Sequence, residues 1–186
     1  DPHPIPALAD RCILIDGPAR TGKFLLSNLI GNLEGVEYVN HVAMHENIGF
    51  MHRMGHIDRA AAFAQLRLTI NIAVYERSVG RHLNSRPTDK YSIFNALDVA
   101  DVLARTTSPD GPKAATAYLQ SGIQPLLLTH DTVPNIDLFF DAQPGLRVLL
   151  LLRHPVDTIA SWWRRGWGER YGTDPLAVTA CAATSV

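Results

Sequence analysis

The segment CILIDGPARTGKF, residues 12–24, joins a short apolar run to a glycine-containing loop. Residues 12–16 are typical of a strand that is buried on both faces of a parallel sheet. Gly17, Gly22 and Lys23 then match G-x-x-x-x-G-K, the pattern of the nucleotide P-loop. In such a loop, backbone N–H groups and the N-terminus of the following helix point toward an anion. The segment predicts strand, phosphate loop and helix; an ordinary strand–helix turn with glycines is the alternative.

Position 24 departs from the P-loop pattern in a way that bears on function. Nucleotide-hydrolysing P-loops place Ser or Thr after the lysine to hold Mg²⁺, and Phe24 cannot ligate a metal. A second metal motif, an apolar strand that ends directly in Asp, is also missing. Asp131 comes nearest, but it lies past the end of the predicted strand. We therefore expect a phosphate ligand that binds without essential Mg²⁺.

Apolar runs alternate with helical patterns along the rest of the chain. This alternation predicts an α/β fold with three layers, in which a mostly parallel central sheet is flanked by helices, as in P-loop NTPases. Ligands of such folds bind at the carboxyl ends of the strands. Further strands are predicted at 36–39, 124–129 and 146–152, and helices at 24–33, 57–83, 92–106, 113–120 and 155–163.

Length and charge limit the classes of partner. The chain has 186 residues, which fits a single domain with a helical middle section at about 57–120. It carries 17 Lys and Arg against 18 Asp and Glu, a balance that argues against a nucleic-acid partner. No apolar run reaches the roughly 18 residues of a membrane helix. The two cysteines form no metal or redox motif, and we predict a cytoplasmic location.

The segment RVLLLLRHPVDTIASWW, residues 147–163, is the most specific stretch of the chain. A very apolar strand ends at Arg153, and Ser161 follows eight residues later on a predicted helix. Two helical turns bring the Ser161 hydroxyl back toward the strand end, where it and Arg153 would reach one phosphate. Further arginines make this region basic: Arg147, Arg164, Arg165 and Arg170. A structural ion pair between Arg153 and a carboxylate is the alternative.

Together, the two motifs resemble those of the sulfotransferases that use 3′-phosphoadenosine 5′-phosphosulfate (PAPS). The resemblance implies that Arg153 and Ser161 bind the 3′-phosphate. It implies that the first loop binds the 5′-phosphosulfate and that no metal is required, in agreement with the missing Mg²⁺ ligand. The first-loop residues concerned are Arg20, Thr21, Gly22, Lys23 and Phe24. Lys23 and Phe24 depart from the family pattern, which has Thr at both positions.

Sulfuryl transfer needs a base for the acceptor proton and cations for the leaving phosphate oxygens. His130 ends the predicted strand 124–129, and cytosolic-type sulfotransferases carry their catalytic base in a Lys-Thr-His sequence at a similar place. Leu128 stands at the Lys position here, so charge stabilisation falls to Lys23 or Arg20. Glu46 is the second choice of base, because other branches of the family use a Glu shortly after the first helix. A structural hydrogen bond is the alternative role of His130.

Four histidines fall within residues 41–56. His41 with His45, and His52 with His56, have the spacing of one helical face, which suits a metal. The pattern is not H-E-x-x-H, and glycines interrupt it. We therefore predict no metal site, and the resemblance places this segment beside the acceptor.

The sequence thus predicts an enzyme that moves a sulfuryl group from PAPS to a hydroxyl or amine and leaves 3′,5′-adenosine bisphosphate. The acceptor stays open among a small molecule, a carbohydrate, a protein and a carrier-tethered chain. A P-loop kinase or NTPase, and a non-catalytic module that binds an adenine nucleotide, are the alternatives. The resemblance also implies a C-terminal basic segment over the 3′-phosphate. None is recognisable, so we expect the domain to be truncated at its C-terminus.

Overall fold

Four parallel strands form the sheet of this protein in a computed structural model that describes residues 7–89, 92–97 and 99–167. The order across the sheet is β2-β3-β1-β4, so that β1 lies between β3 and β4. The strands are β1 (Ile13–Asp16), β2 (Val36–Tyr38), β3 (Gln124–Leu128) and β4 (Arg147–Leu150). The predicted α/β class with a parallel sheet flanked by helices is confirmed.

Helices connect the strands and cover both faces of the sheet. Helix α1 lies on one face, where its apolar side chains pack against Ile15, Leu126 and Leu128. Helices α2, α3, α5 and α6 contribute to the larger core on the other face, around Leu14 and Leu127. The helices are α1 (Lys23–Gly31), α2 (Ala43–Arg53), α3 (Arg59–Ser78), α4 (Val99–Ala104), α5 (Pro112–Ser121), α6 (Ile136–Ala142) and α7 (Pro155–Trp163).

The strand register aligns the strand ends that carry the predicted site. Ile15 pairs with both Leu128 and Leu149, and Asp16 pairs with Leu150. The carboxyl ends of β1, β3 and β4 therefore lie at the same edge of the sheet. The first loop follows β1 there, His130 follows β3 and Arg153 follows β4. The edge is the one at which ligands of parallel α/β sheets bind.

Two local predictions were wrong. The predicted helix 92–106 is interrupted: a 3₁₀ turn at Ile93–Asn95 precedes α4, and a second turn follows at Arg105–Thr107. Ser92 accepts a hydrogen bond from the N–H of Phe94, which favours a turn. The predicted strand 146–152 is shorter and lies at the edge of the described sheet, where Leu149 and Leu150 are more than 40% exposed.

The histidine pairs do not share helical faces. Helix α2 begins at Ala43 and continues through Gly49, which allows close approach because a Cβ there would lie 3.2 Å from the Asn135 side chain. His41 precedes this helix and His56 follows it, so neither spacing places two imidazoles on one helical face.

None of the described helices combines the length and the apolar character needed to span a bilayer. Arg170 of the basic region and Cys181 lie outside the described residues.

Candidate functional site

The loop between β1 and α1 has the curled backbone that its glycines predict. Gly17 and Gly22 have φ angles of +132° and +102°, in the region that favours glycine. Gly22 is the N-cap of α1, and its carbonyl accepts hydrogen bonds from the N–H groups of Leu25 and Leu26. The Thr21 hydroxyl donates to the Pro18 carbonyl at 2.9 Å and braces the turn. The N-terminus of α1 therefore opens toward the carboxyl edge of the sheet.

Lys23 lies inside this loop rather than above it. Its ammonium group donates to the carbonyl oxygens of Gly17 and Pro18, and the residue is only 2% exposed. Burial lowers the pKa of Lys23, whereas the nearby carboxylates of Asp16, Asp131 and Glu46 oppose that shift. The loop carbonyls thus hold the cation that we expected at the phosphosulfate.

Arg20 joins the first loop to the second motif. Its Nε donates to Ser161 Oγ at 3.1 Å, and its own carbonyl accepts from Arg153 Nη1 at 3.3 Å. The indole Nε1 of Trp162 donates to the carbonyl of the preceding residue, Ala19, at 3.0 Å. The structure therefore brings Arg20, Arg153 and Ser161 together, although 133 residues separate the two arginines in the chain.

The end of β3 is tied to the end of β1 through one buried carboxylate. Asp16 accepts from the Thr129 hydroxyl and from the backbone N–H groups of Thr132 and Val133, all at 3.0 Å. These bonds shape the turn that carries His130. Asp16 therefore acts as a structural acceptor that joins the ends of β1 and β3.

Glu46 contacts two histidines, His130 and His41. Its Oε1 accepts from the His130 backbone N–H at 2.7 Å and lies 3.0 Å from His130 Nδ1 and 2.8 Å from His41 Nε2. Burial raises the pKa of Glu46, but hydrogen bonds from His130 and His41 outweigh it and lower that pKa to about 2. Glu46 is therefore an ionised acceptor at neutral pH. It holds the His130 ring by Nδ1, and the ring's other nitrogen is the one that can take a proton.

An open cleft of about 520 Å³ lies at this edge of the sheet. It is lined by residues 19–25 of the first loop and by His130, Arg153, Arg165 and Trp167. Phe24 stands where a Mg²⁺ ligand would be, and its ring centroid lies 5.8 Å from that of His130. A neighbouring cavity of about 220 Å³ includes His41 and Arg81 in its lining. Three arginines, Lys23 and a histidine therefore border the larger cleft.

Searches against protein-family models, curated proteins and solved structures found no match for this chain.

Sequence reasoning missed several residues of the site. The contacts of Glu46 with His41 and of Trp162 with Ala19 have no sequence signal, because each depends on how a loop packs against a distant element. Arg165 was recognised only as part of a basic region. The positive φ of Arg20, at +71°, also has no sequence signal, because residues other than glycine rarely adopt this conformation.

The buried His45, next to Glu46 in the chain, predicts an acid-sensitive fold. Burial lowers the pKa of His45 to about 4, and its Nε2 has no hydrogen-bond partner among the described residues. His45 therefore binds a proton near pH 6.5 in the unfolded chain but only near pH 4 in the folded chain. Stability should fall by about 1–3 kcal/mol across that window, and Glu46 adds a further loss between about pH 4.5 and 2.

Urea unfolding of His45→Leu between pH 7 and pH 4 tests this origin. The variant should show a much flatter dependence on pH above about 4.5 than the wild type. His56→Leu, which alters an exposed histidine, should keep the wild-type slope. An unchanged slope in His45→Leu would assign the acid sensitivity to other groups.

Proposed function

We propose that this protein transfers a sulfuryl group from PAPS to a hydroxyl or amine acceptor. One observation carries the proposal: the phosphate loop, Arg153 and His130 line the same cleft. A nucleotide with two separate phosphate groups needs cations at two places, and a transfer reaction needs a base beside them. The first loop, Arg153 and His130 would supply the two cationic places and the base at one sheet edge. The first loop also lacks a metal-ligating side chain, because Phe24 stands at that position.

The residues fit such a donor by charge and by hydrogen-bond capacity. Arg153 and Ser161 would hold the 3′-phosphate, and the N–H groups of the first loop the 5′-phosphosulfate. Arg20 already joins the two groups of residues through its bonds to Ser161 and Arg153. When bound, PAPS supplies an activated sulfuryl group on a phosphate leaving group.

His130 would act as the base. The Glu46 carboxylate accepts from Nδ1–H, which leaves the lone pair on Nε2 to remove the proton from the acceptor hydroxyl or amine. Glu46 then stabilises the resulting imidazolium, as carboxylates do in histidine-based active sites. Since the Glu46 pKa is about 2, it is a poor base itself and a good positioning residue.

The neighbouring cavity of about 220 Å³ is the best place for the acceptor. His41 borders this cavity and His130 borders the larger cleft, while Glu46 contacts both imidazoles. A group bound in the smaller cavity would therefore reach the two histidines and Glu46 from the His41 side.

A non-catalytic module that binds an adenine nucleotide is the second candidate. The observation that favours it is the ammonium group of Lys23, which the loop carbonyls already satisfy. Such a loop would bind phosphate through backbone N–H groups without offering a cation to a leaving group. Binding experiments cannot separate the two candidates, whereas a transfer assay does.

Calorimetric titration tests the nucleotide site. We expect 3′,5′-adenosine bisphosphate to bind the wild type without Mg²⁺, and Arg153→Ala to bind it about 10- to 100-fold more weakly. A charge-assisted hydrogen bond contributes about 1.5–3 kcal/mol, and 1.4 kcal/mol corresponds to a factor of ten. Arg147→Ala is the matched control, because Arg147 is exposed at the opposite end of β4 and should leave binding unchanged. Tight Mg·ATP binding without bisphosphate binding would refute the proposal in favour of a kinase or NTPase.

A further inference from the structure

The side chains of His41, Glu46 and His130 form a compact group of potential metal ligands. Their donor atoms all lie within 4.8 Å of one another. His41 Nε2 and His130 Nδ1 lie 2.8 Å and 3.0 Å from the same carboxylate oxygen. These separations approach those between ligand atoms that share one metal ion, so only small side-chain shifts are required.

The two imidazoles are held at a large angle to each other. Their ring planes meet at 87°, and their centroids are 5.2 Å apart. The side chains of His41, Glu46 and His130 are 20%, 23% and 25% exposed, so solvent and ions can reach the group. The His130 backbone N–H donates at 2.7 Å to the same Glu46 oxygen, Oε1, and fixes its position between the two imidazoles. Such supporting hydrogen bonds are typical of metal sites, where they orient the ligands.

We propose that His41, Glu46 and His130 bind one divalent transition-metal ion of the Zn²⁺ type. Two imidazoles and one carboxylate are a donor set that Zn²⁺ takes when one coordination position is left to water or substrate. The three ligands come from the loop before α2, from α2 itself and from the turn after β3. Their convergence depends on the fold and not on the spacing that the sequence shows.

Metal binding at this position has a direct chemical consequence for the base, which rests on the proposed function. In the metal-free protein, the His130 proton lies on Nδ1 and the lone pair on Nε2. A metal on Nδ1 requires the lone pair there, so the proton of the neutral ring moves to Nε2. His130 can then no longer accept a proton from the acceptor. The metal would therefore act as a reversible inhibitor, although the base and its orienting residue remain in place.

Metal titration tests the site without any nucleotide or acceptor. Protein without a histidine tag is titrated with Zn²⁺ by calorimetry and with Co²⁺ by visible absorption. We expect one ion per chain and the intense Co²⁺ bands of a low-coordinate site with nitrogen and oxygen ligands. His41→Ala and Glu46→Gln should each weaken Zn²⁺ binding by at least about 10- to 100-fold, the loss known even for outer-shell partners. His56→Ala, at an exposed histidine outside the group, should bind as the wild type does.

Two results would overturn the metal site. One is the absence of Co²⁺ bands in wild-type protein, which does not depend on whether any variant folds. The other is Zn²⁺ binding that survives both His41→Ala and Glu46→Gln. Since neither result involves PAPS, a protein that binds the bisphosphate but no Zn²⁺ would refute this inference alone. A protein that binds Zn²⁺ but no bisphosphate would refute only the proposed function. If both hold, Zn²⁺ should inhibit transfer by wild-type protein and a chelator should restore it.

Discussion

Replacement of His130 by Ala should lower kcat for sulfuryl transfer by about 100- to 10,000-fold, the usual contribution of a positioned general base. The acceptor would lose the imidazole that takes its proton. Binding of 3′,5′-adenosine bisphosphate should change little, because the proposal assigns the phosphates to the first loop and Arg153 rather than to His130. The measurement is transfer from radiolabelled PAPS to a panel of probes: p-nitrophenol, a hexosamine and a primary alkylamine.

Glu46→Gln separates the two possible bases. The substituted amide keeps the size of the side chain and an oxygen that can accept from the His130 N–H groups, but it loses the charge that stabilises the imidazolium. We expect a smaller loss of kcat than in His130→Ala, because the imidazole that takes the proton remains and only the charge that stabilises the imidazolium is lost. His56→Ala is the control for the loss of a histidine. Full activity in His130→Ala with none in Glu46→Gln would make Glu46 the base.

The second large effect is expected at Gly17. An added Cβ there would lie 2.2 Å from the carbonyl oxygen of Leu151, and the φ of +132° is itself unfavourable for any other residue. Leu151 N–H donates to the Asp16 carbonyl, so the clash pushes directly on the pairing of β1 with β4. Gly17→Ala should lower the free energy of unfolding by about 4 kcal/mol, the range of severe backbone strain combined with overpacking. Bisphosphate binding should fall as well, because Arg153 follows Leu151 by only two residues.

Gly122→Ala is the matched control for the backbone conformation. Gly122 also has a positive φ, at +71°, but a Cβ there meets nothing within 4 Å. Its substitution should destabilise the fold by only about 1–2 kcal/mol, the usual effect of a left-handed conformation. Urea unfolding of both variants measures the difference. If both variants lost the same free energy of unfolding, the close approach of Gly17 to Leu151 would contribute nothing to the effect of Gly17→Ala.

The main elements of the fold follow from local pattern. The apolar run at 12–16, the glycine loop and the helix after it are all readable, because strand, turn and helix preferences act over neighbouring residues. Helix α7 occupies the predicted residues 155–163, since Pro155 is suited to the first helical turn. The helix α2 was not expected, because Gly49 looks like a breaker until Asn135 is seen packed against it.

The candidate site was predictable in its residue types but not in their contacts. One motif identifies Arg20 and the other Arg153 with Ser161, and the sheet order brings the two motifs to one edge. Whether Arg153 met a carboxylate or the first loop depended on the packing of β4 against β1. For Lys23 the motif and the structure differ. The motif predicts a contact with phosphate, whereas the ammonium group donates to two carbonyl oxygens of the loop.

The sequence by itself determined the parallel α/β fold, the glycine loop between β1 and α1, and the absence of a magnesium-ligating side chain at Phe24, because these depend on residue type and local spacing. Only the tertiary structure brought His130 and Glu46 into contact, on which their proposed division of roles rests. Eighty-four positions separate them in the chain, and the turn after β3 brings the His130 N–H and ring nitrogen onto one carboxylate oxygen. A base and the group that orients it are defined by a contact of about 3 Å, and such a contact between distant segments exists only once the sheet and helices have packed.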